Sequence, residues 1–160
     1  MIHHISIAAQ KPQHVAQVLA EVLKSQFVSF PPVPGSYMVF AMDEHGTAIE
    51  VLPRGTEILP GSGPGSCYFE QNSNPSPYTT THAAVSVPRS QSEIEAIGQR
   101  EGWRVVRCDR EGFFDLMEFW VENTLLLEFL TPEMTARYLA FTQQPDVLKY
   151  FVAEPVGAIA

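Results

Sequence analysis

His82-Ala83-Ala84-Val85-Ser86-Val87 decides the fold, because it restates His4-Ile5-Ser6-Ile7-Ala8 at an offset of 78 positions. Each stretch is a histidine at the head of a short run in which small or polar residues alternate with aliphatic ones. Each is followed by a glutamate embedded in a second apolar run. Glu50 lies in Ala48-Ile49-Glu50-Val51-Leu52, and Glu128 in Leu126-Leu127-Glu128-Phe129-Leu130. From histidine to glutamate is 46 positions in both copies. A unit of this length present twice is a duplicated module, not a solenoid, which needs at least ~3 shorter repeats.

Working outward, the first copy reads strand, helix, three strands. Residues 3–9 alternate, and Pro12 then opens an amphipathic helix with Val15, Val18, Leu19, Val22 and Leu23 on one face. Gln26 to Phe30 is a strand stopped by Pro31-Pro32, and residues 37–42 and 47–52 flank a turn at Asp43-Glu44-His45-Gly46. The second copy repeats the order. Its strand at 82–87 precedes a helix capped by Ser90 or Ser92 and ending near Gly102. Strands then follow at 103–108, 114–121 and 124–130, the last two turning at Glu122-Asn123.

The chain thus divides into a first module over 1–56, a connection over 57–80, a second module over 81–131 and a helical tail over 132–160. Residues 53–80 are rich in Gly, Pro and Ser. A structureless connection of that length is unusual, so it is functional or hides a strand near Cys67-Tyr68-Phe69. In the tail, Thr131-Pro132 is a helix start, and Pro145 begins a second short helix with Val147, Leu148 and Phe151.

Strand side chains alternate between faces. His4, Ser6 and Ala8 therefore share a face, as do His82, Ala84 and Ser86; Glu50 and Glu128 sit mid-strand between apolar neighbours. The strongly apolar face packs on the helix. The face carrying His and Glu is lined by small residues, which is how a ligand-sized cavity reads in sequence. Two imidazoles and two carboxylates at equivalent places make His4, Glu50, His82 and Glu128 a candidate metal set. Borderline ions such as zinc or nickel favour that mixed shell. His3 points to the opposite face, while His14 on the helix and His45 in the turn read as surface residues. Phe113 and Phe114 are candidates for substrate contact; Phe119 and Trp120 read as core.

Net charge −8 and a pI near 5.0 argue against nucleic acid or an anionic membrane as partner. With 45% apolar and 18% charged residues the composition is that of an ordinary globular protein. No apolar stretch approaches the ~18 residues of a membrane span. Cys67 and Cys108 lack CxxC spacing and read as reduced thiols, so a cytoplasmic protein is expected.

At these four residues the chain resembles the glyoxalase, bleomycin resistance and extradiol dioxygenase proteins, the vicinal oxygen chelate superfamily. The resemblance spans about residues 3–132. It implies an α+β fold of two βαβββ modules whose curved mixed sheets surround a shared cavity. It also implies metal ligands at His4, Glu50, His82 and Glu128, the set that bacterial glyoxalase I uses. The expected activity is a metal-dependent lyase or isomerase working on a small carbonyl substrate through an enediolate. Glu128 would be the catalytic base and Glu50 the alternate. A non-catalytic resistance-type binding protein and an extradiol-type dioxygenase are the alternatives on the same fold. Glyoxalase I holds glutathione with an Arg and an Asn where this chain has Ala8 and Arg54, so a glutathione substrate is not expected. Closure of the modules within one chain or across a homodimer satisfies the repeat equally.

Overall fold

The computed structural model describes residues 2–62 and 66–145. Strand β1 (His4–Ala9), helix α1 (Pro12–Leu23) and strands β2 (Gln26–Ser29), β3 (Tyr37–Phe40) and β4 (Ala48–Pro53) form the first module. Strand β5 (Thr56–Leu59) and strand β6 (Tyr68–Gln71) pair as a separate antiparallel ribbon. The second module is β7 (Ala83–Ser86), α2 (Gln91–Glu101), β8 (Val105–Arg110), β9 (Phe114–Val121) and β10 (Leu125–Leu130). Helix α3 (Pro132–Thr142) follows. The sheet orders are β1-β4-β3-β2 and β7-β10-β9-β8, the same topology twice, with only the first pair of each parallel. Register is repeated as well. Glu50 lies opposite Ser6, and Glu128 opposite Ala84, the residue 78 positions beyond Ser6.

Each sheet sends one face into a single apolar core. From the first module come Ile7, Val39, Ile49 and Val51 under Val15, Leu19 and Val22 of α1; from the second, Met117, Phe119, Leu127 and Phe129 under Ile94 and Ile97 of α2. Phe119 touches Phe129 and Trp103, with ring centroids 4.9 and 5.7 Å apart. Gly98 lets α2 settle on β8, since a Cβ there would collide with Val105.

The helices end differently. Ser90 and Glu93 form a reciprocal capping box on α2, and the Ser90 backbone N–H bond, with Arg89 beside it, lowers the Glu93 carboxyl to about 2. Helix α1 has Lys11 at its N-cap, with no side-chain cap of its own. Its start is capped by the second module instead: the N–H groups of Gln10 and Lys11 donate to Glu122 at 2.6 and 2.9 Å. At its other end the Arg89 guanidinium donates to the Glu21 carbonyl. An anion at a helix start and a cation at its end each oppose the helix dipole, worth about 0.3–1 kcal/mol apiece. Arg100 also pairs with the Glu21 carboxylate and holds it below the ordinary carboxylate range. His14, read as a surface residue, bonds Glu101 at 2.6 Å and meets Trp103 edge-on, so it belongs to the contact between modules.

The other faces of the two sheets carry the histidines and glutamates. Helix α3, capped by Thr131, lies across one end of the second of these: Phe114 meets Tyr138 edge-on and Phe141 at a tilt, and Thr135 donates to Ser86 at 3.0 Å. Arg137 anchors α3 to the buried Asp115 at 2.5 Å, and Arg107 takes the same carboxylate oxygen. The short helix expected from Pro145 lies outside the described residues, apart from Pro145 itself. The connection does hide a strand, and a second one pairs with it. That ribbon begins at Gly55, φ +90°, where a Cβ would collide with Asn72 and Gln71. Among the described residues no helix is long and apolar enough to cross a membrane.

Candidate metal centre

His4 opens β1 on the face away from α1, and Glu50 lies diagonally from it on the neighbouring strand β4. Glu50 is only 7% exposed, and the Ser6 hydroxyl donates to its carboxylate. Among the described residues no cationic side chain pairs with it. A buried carboxylate needs a cation or a full set of hydrogen bonds, so this position fits a metal ligand.

His82 stands one residue before β7, exposed, and its Nδ1 lies 3.0 Å from the Thr80 carbonyl. With the proton on Nδ1, Nε2 is the free nitrogen, the second-shell arrangement that orients ligating histidines. Glu128 is half-buried in β10 and already has a partner: Arg110 Nη2 lies 2.8 Å from its carboxylate. The same nitrogen is 3.3 Å from Glu118, which sits directly opposite Glu128 on β9. Trp120 Nε1 donates to Glu118 at 3.2 Å. Trp120 therefore lies half-buried on this face rather than in the core, whereas Phe119 is core. Cys108 shares the face, but burial pushes its thiol above the ordinary range and keeps it protonated.

Arg110 and Glu118 were not among the expected site residues. Glu118 had a signal: a charged residue in the otherwise apolar run Leu116-Met117-Glu118-Phe119-Trp120. Arg110 had none, since its reach across two strands depends on the fold.

Each module thus carries one histidine and one glutamate at equivalent places, His4 with Glu50 and His82 with Glu128. His4 and His82 border one cavity of about 560 Å³, with Asp43, His45, Ala48, Ala84 and Tyr138 also on its wall. His45, expected to be a plain surface residue, accepts a bond from His3 Nδ1 through its carbonyl at this rim. Neither Glu50 nor Glu128 lines that cavity. Among the described residues, no three His, Cys, Asp or Glu side chains of one chain are placed to hold a metal.

The face is also less uniformly small than the reading of the first and fourth strands suggests. Ser6, Ala8, Ala84 and Ser86 are there, but β2 and β3 add Val28, Met38 and Phe40. Ala8 and Arg54 lie apart, in a cleft with residues 76–79 and Glu122.

No family model and no curated sequence matches the chain. Solved structures match in fold. A fosfomycin resistance protein, FosX, from Listeria monocytogenes superimposes with a TM-score of 0.55 at 11% identity, covering 88% of this chain and 98% of that one. A mutant of that protein, solved with Mn(II) and 1S,2S-dihydroxypropylphosphonic acid, gives 0.52 at 12% identity over 81% and 87%. TioX from Micromonospora sp. ML1 gives 0.50 at 15% identity over 81% and 96%. The fold is that of the vicinal oxygen chelate proteins, as the four residues implied.

Proposed function

We propose that the chain is a cytoplasmic, metal-dependent lyase or isomerase of the glyoxalase type, working on a small carbonyl substrate without glutathione. We further propose that each of its metal sites is shared by two copies in a homodimer. His4 and Glu50 of one protomer would face the partner subunit's His82 and Glu128. The observation that carries this reading is the division of the ligand set into two half-sites, each built on one sheet face. The exposure of Val28 (53%), Phe40 (41%) and Met42 (78%) on and beside the first half-site supports a second copy as its cover.

A divalent ion such as zinc or nickel held there would supply Lewis-acid polarisation of two neighbouring substrate oxygens. The chain's own residues supply the rest. Ser6 fixes the Glu50 carboxylate, and Thr80 fixes the His82 ring. Glu128, half-buried and paired with Arg110, is the group to take a proton from the carbon next to the carbonyl and return it. Ala8 offers no cation to a glutathione carboxylate, and Arg54, in the same cleft as Ala8, does not line the cavity that His4 and His82 border.

Elemental analysis and zinc titration of protein prepared without chelator test the reading. We expect one ion per chain, and Glu128→Gln to lower any turnover by at least about 100-fold. No isomerisation of the methylglyoxal–glutathione adduct is expected. A protein that takes up no divalent ion would leave the second reading, a small-molecule binding protein, which the pairing of Glu128 with Arg110 favours. Robust adduct turnover abolished by Glu128→Gln would overturn the exclusion of glutathione.

A further inference from the structure

Glu118 and Glu128 face each other across β9 and β10, an arrangement of like charges that is unfavourable by itself. One guanidinium nitrogen makes it tolerable. Arg110 Nη2 is 2.8 Å from Glu128 and 3.3 Å from Glu118, and both carboxylates are largely shielded. The nearer bond goes to the residue needed elsewhere. A guanidinium held close to Glu128 competes with a metal ion for its negative charge, so ligation is favoured when another carboxylate takes Arg110. Glu118 is already in reach, and the Trp120 indole N–H holds it in place.

We propose that Arg110 and Glu118 form a counter-ion exchange that holds Glu128 back until a divalent cation takes it, whereupon Arg110 passes to Glu118. This rests on the assignment of Glu128 as a metal ligand. Arg110 and Glu118 are positioning residues in it, acting through Glu128. Two opposed effects follow. Removing Arg110 removes the competitor for Glu128 and should tighten cation binding. Removing the charge of Glu118 leaves Arg110 with Glu128 alone and should weaken it.

The experiment is a calorimetric titration of the full-length metal-free chain with zinc. Arg110→Gln should bind several-fold to about tenfold more tightly than the wild type, and Glu118→Gln more weakly by a similar factor. The double variant should keep the tighter affinity of Arg110→Gln, because Glu118 acts only through Arg110; a return to the wild-type affinity would mark two independent field effects and overturn the exchange. Arg110→Lys separates the exchange from a general field effect: it keeps the charge, but its shorter side chain does not place a nitrogen where Nη2 reaches both carboxylates. Tighter binding by Arg110→Lys supports the exchange; affinity equal to the wild type overturns it. Should Arg110→Gln fail to fold, Arg110→Lys and Glu118→Gln carry the test. If wild-type protein binds zinc and neither variant differs from it, the exchange is wrong and the metal site stands. If the wild type binds no zinc, both fall.

Discussion

Equal mixing of His4→Ala and His82→Ala chains is expected to restore zinc binding that neither variant retains alone. Each substitution removes one imidazole, and loss of a directly ligating group should exceed the 10–100-fold that losing an outer-shell partner costs. In a two-fold dimer whose sites are shared, the mixed dimer has one site with all four ligands and one with neither imidazole. Half of the dimers are mixed after exchange, so roughly a quarter of wild-type capacity should return. A site confined to one chain returns nothing on mixing. His14→Ala and His45→Ala are the controls. His14 is engaged with Glu101, and the His45 contact to His3 is made by its backbone carbonyl, so neither should move zinc affinity. Full zinc binding by both variants before mixing would remove these histidines from the ligand set.

The largest effect on stability is expected from Phe119→Ala. The ring is fully buried, lies between Trp103 and Phe129, and leaves a cavity that a strand bonded on both sides cannot collapse around. Such substitutions cost about 3–5 kcal/mol. In a protein of this size that lowers the melting temperature by roughly 6–20 °C at ~2–4 °C per kcal/mol. Trp120→Ala, one residue on and half-buried on the opposite face, should cost distinctly less. Urea unfolding of the two variants side by side is the measurement. A loss below about 1 kcal/mol for Phe119→Ala would contradict the packing described.

Much of this arrangement was legible in the residues because period-2 alternation and capping chemistry are local. Strand β9 runs from Phe114 to Val121 as expected, Ser90 and Thr131 cap their helices, and Glu122-Asn123, both at positive φ, make the hairpin turn. The equivalent placing of the two His–Glu pairs was legible for the same reason: a repeated spacing on a repeated strand order keeps Glu50 and Glu128 in equivalent registers. What the residues alone did not disclose is set by distant partners. The role of His14 depends on a glutamate 87 positions away, and that of Arg110 on two carboxylates across two strands. Val28 and Phe40 were not read as part of the ligand face because their strands pair beyond β4, and only the sheet order says so. The ribbon β5–β6 lies in Gly- and Pro-rich sequence, where a four-residue strand has little periodicity to display.

The capping of α1 by Glu122 and Arg89 has a consequence for how the chain comes into being. Translation delivers the first module before the second. When β4 has emerged, α1 still lacks the carboxylate that takes the N–H groups of Gln10 and Lys11 at its start and the guanidinium that takes the Glu21 carbonyl near its end. Helix α2 carries its own capping box and waits for nothing. The duplicated halves have therefore ceased to be equals in assembly: the half made first is completed by the half made last, and the contacts at both ends of α1 wait until the turn at Glu122-Asn123 has left the ribosome.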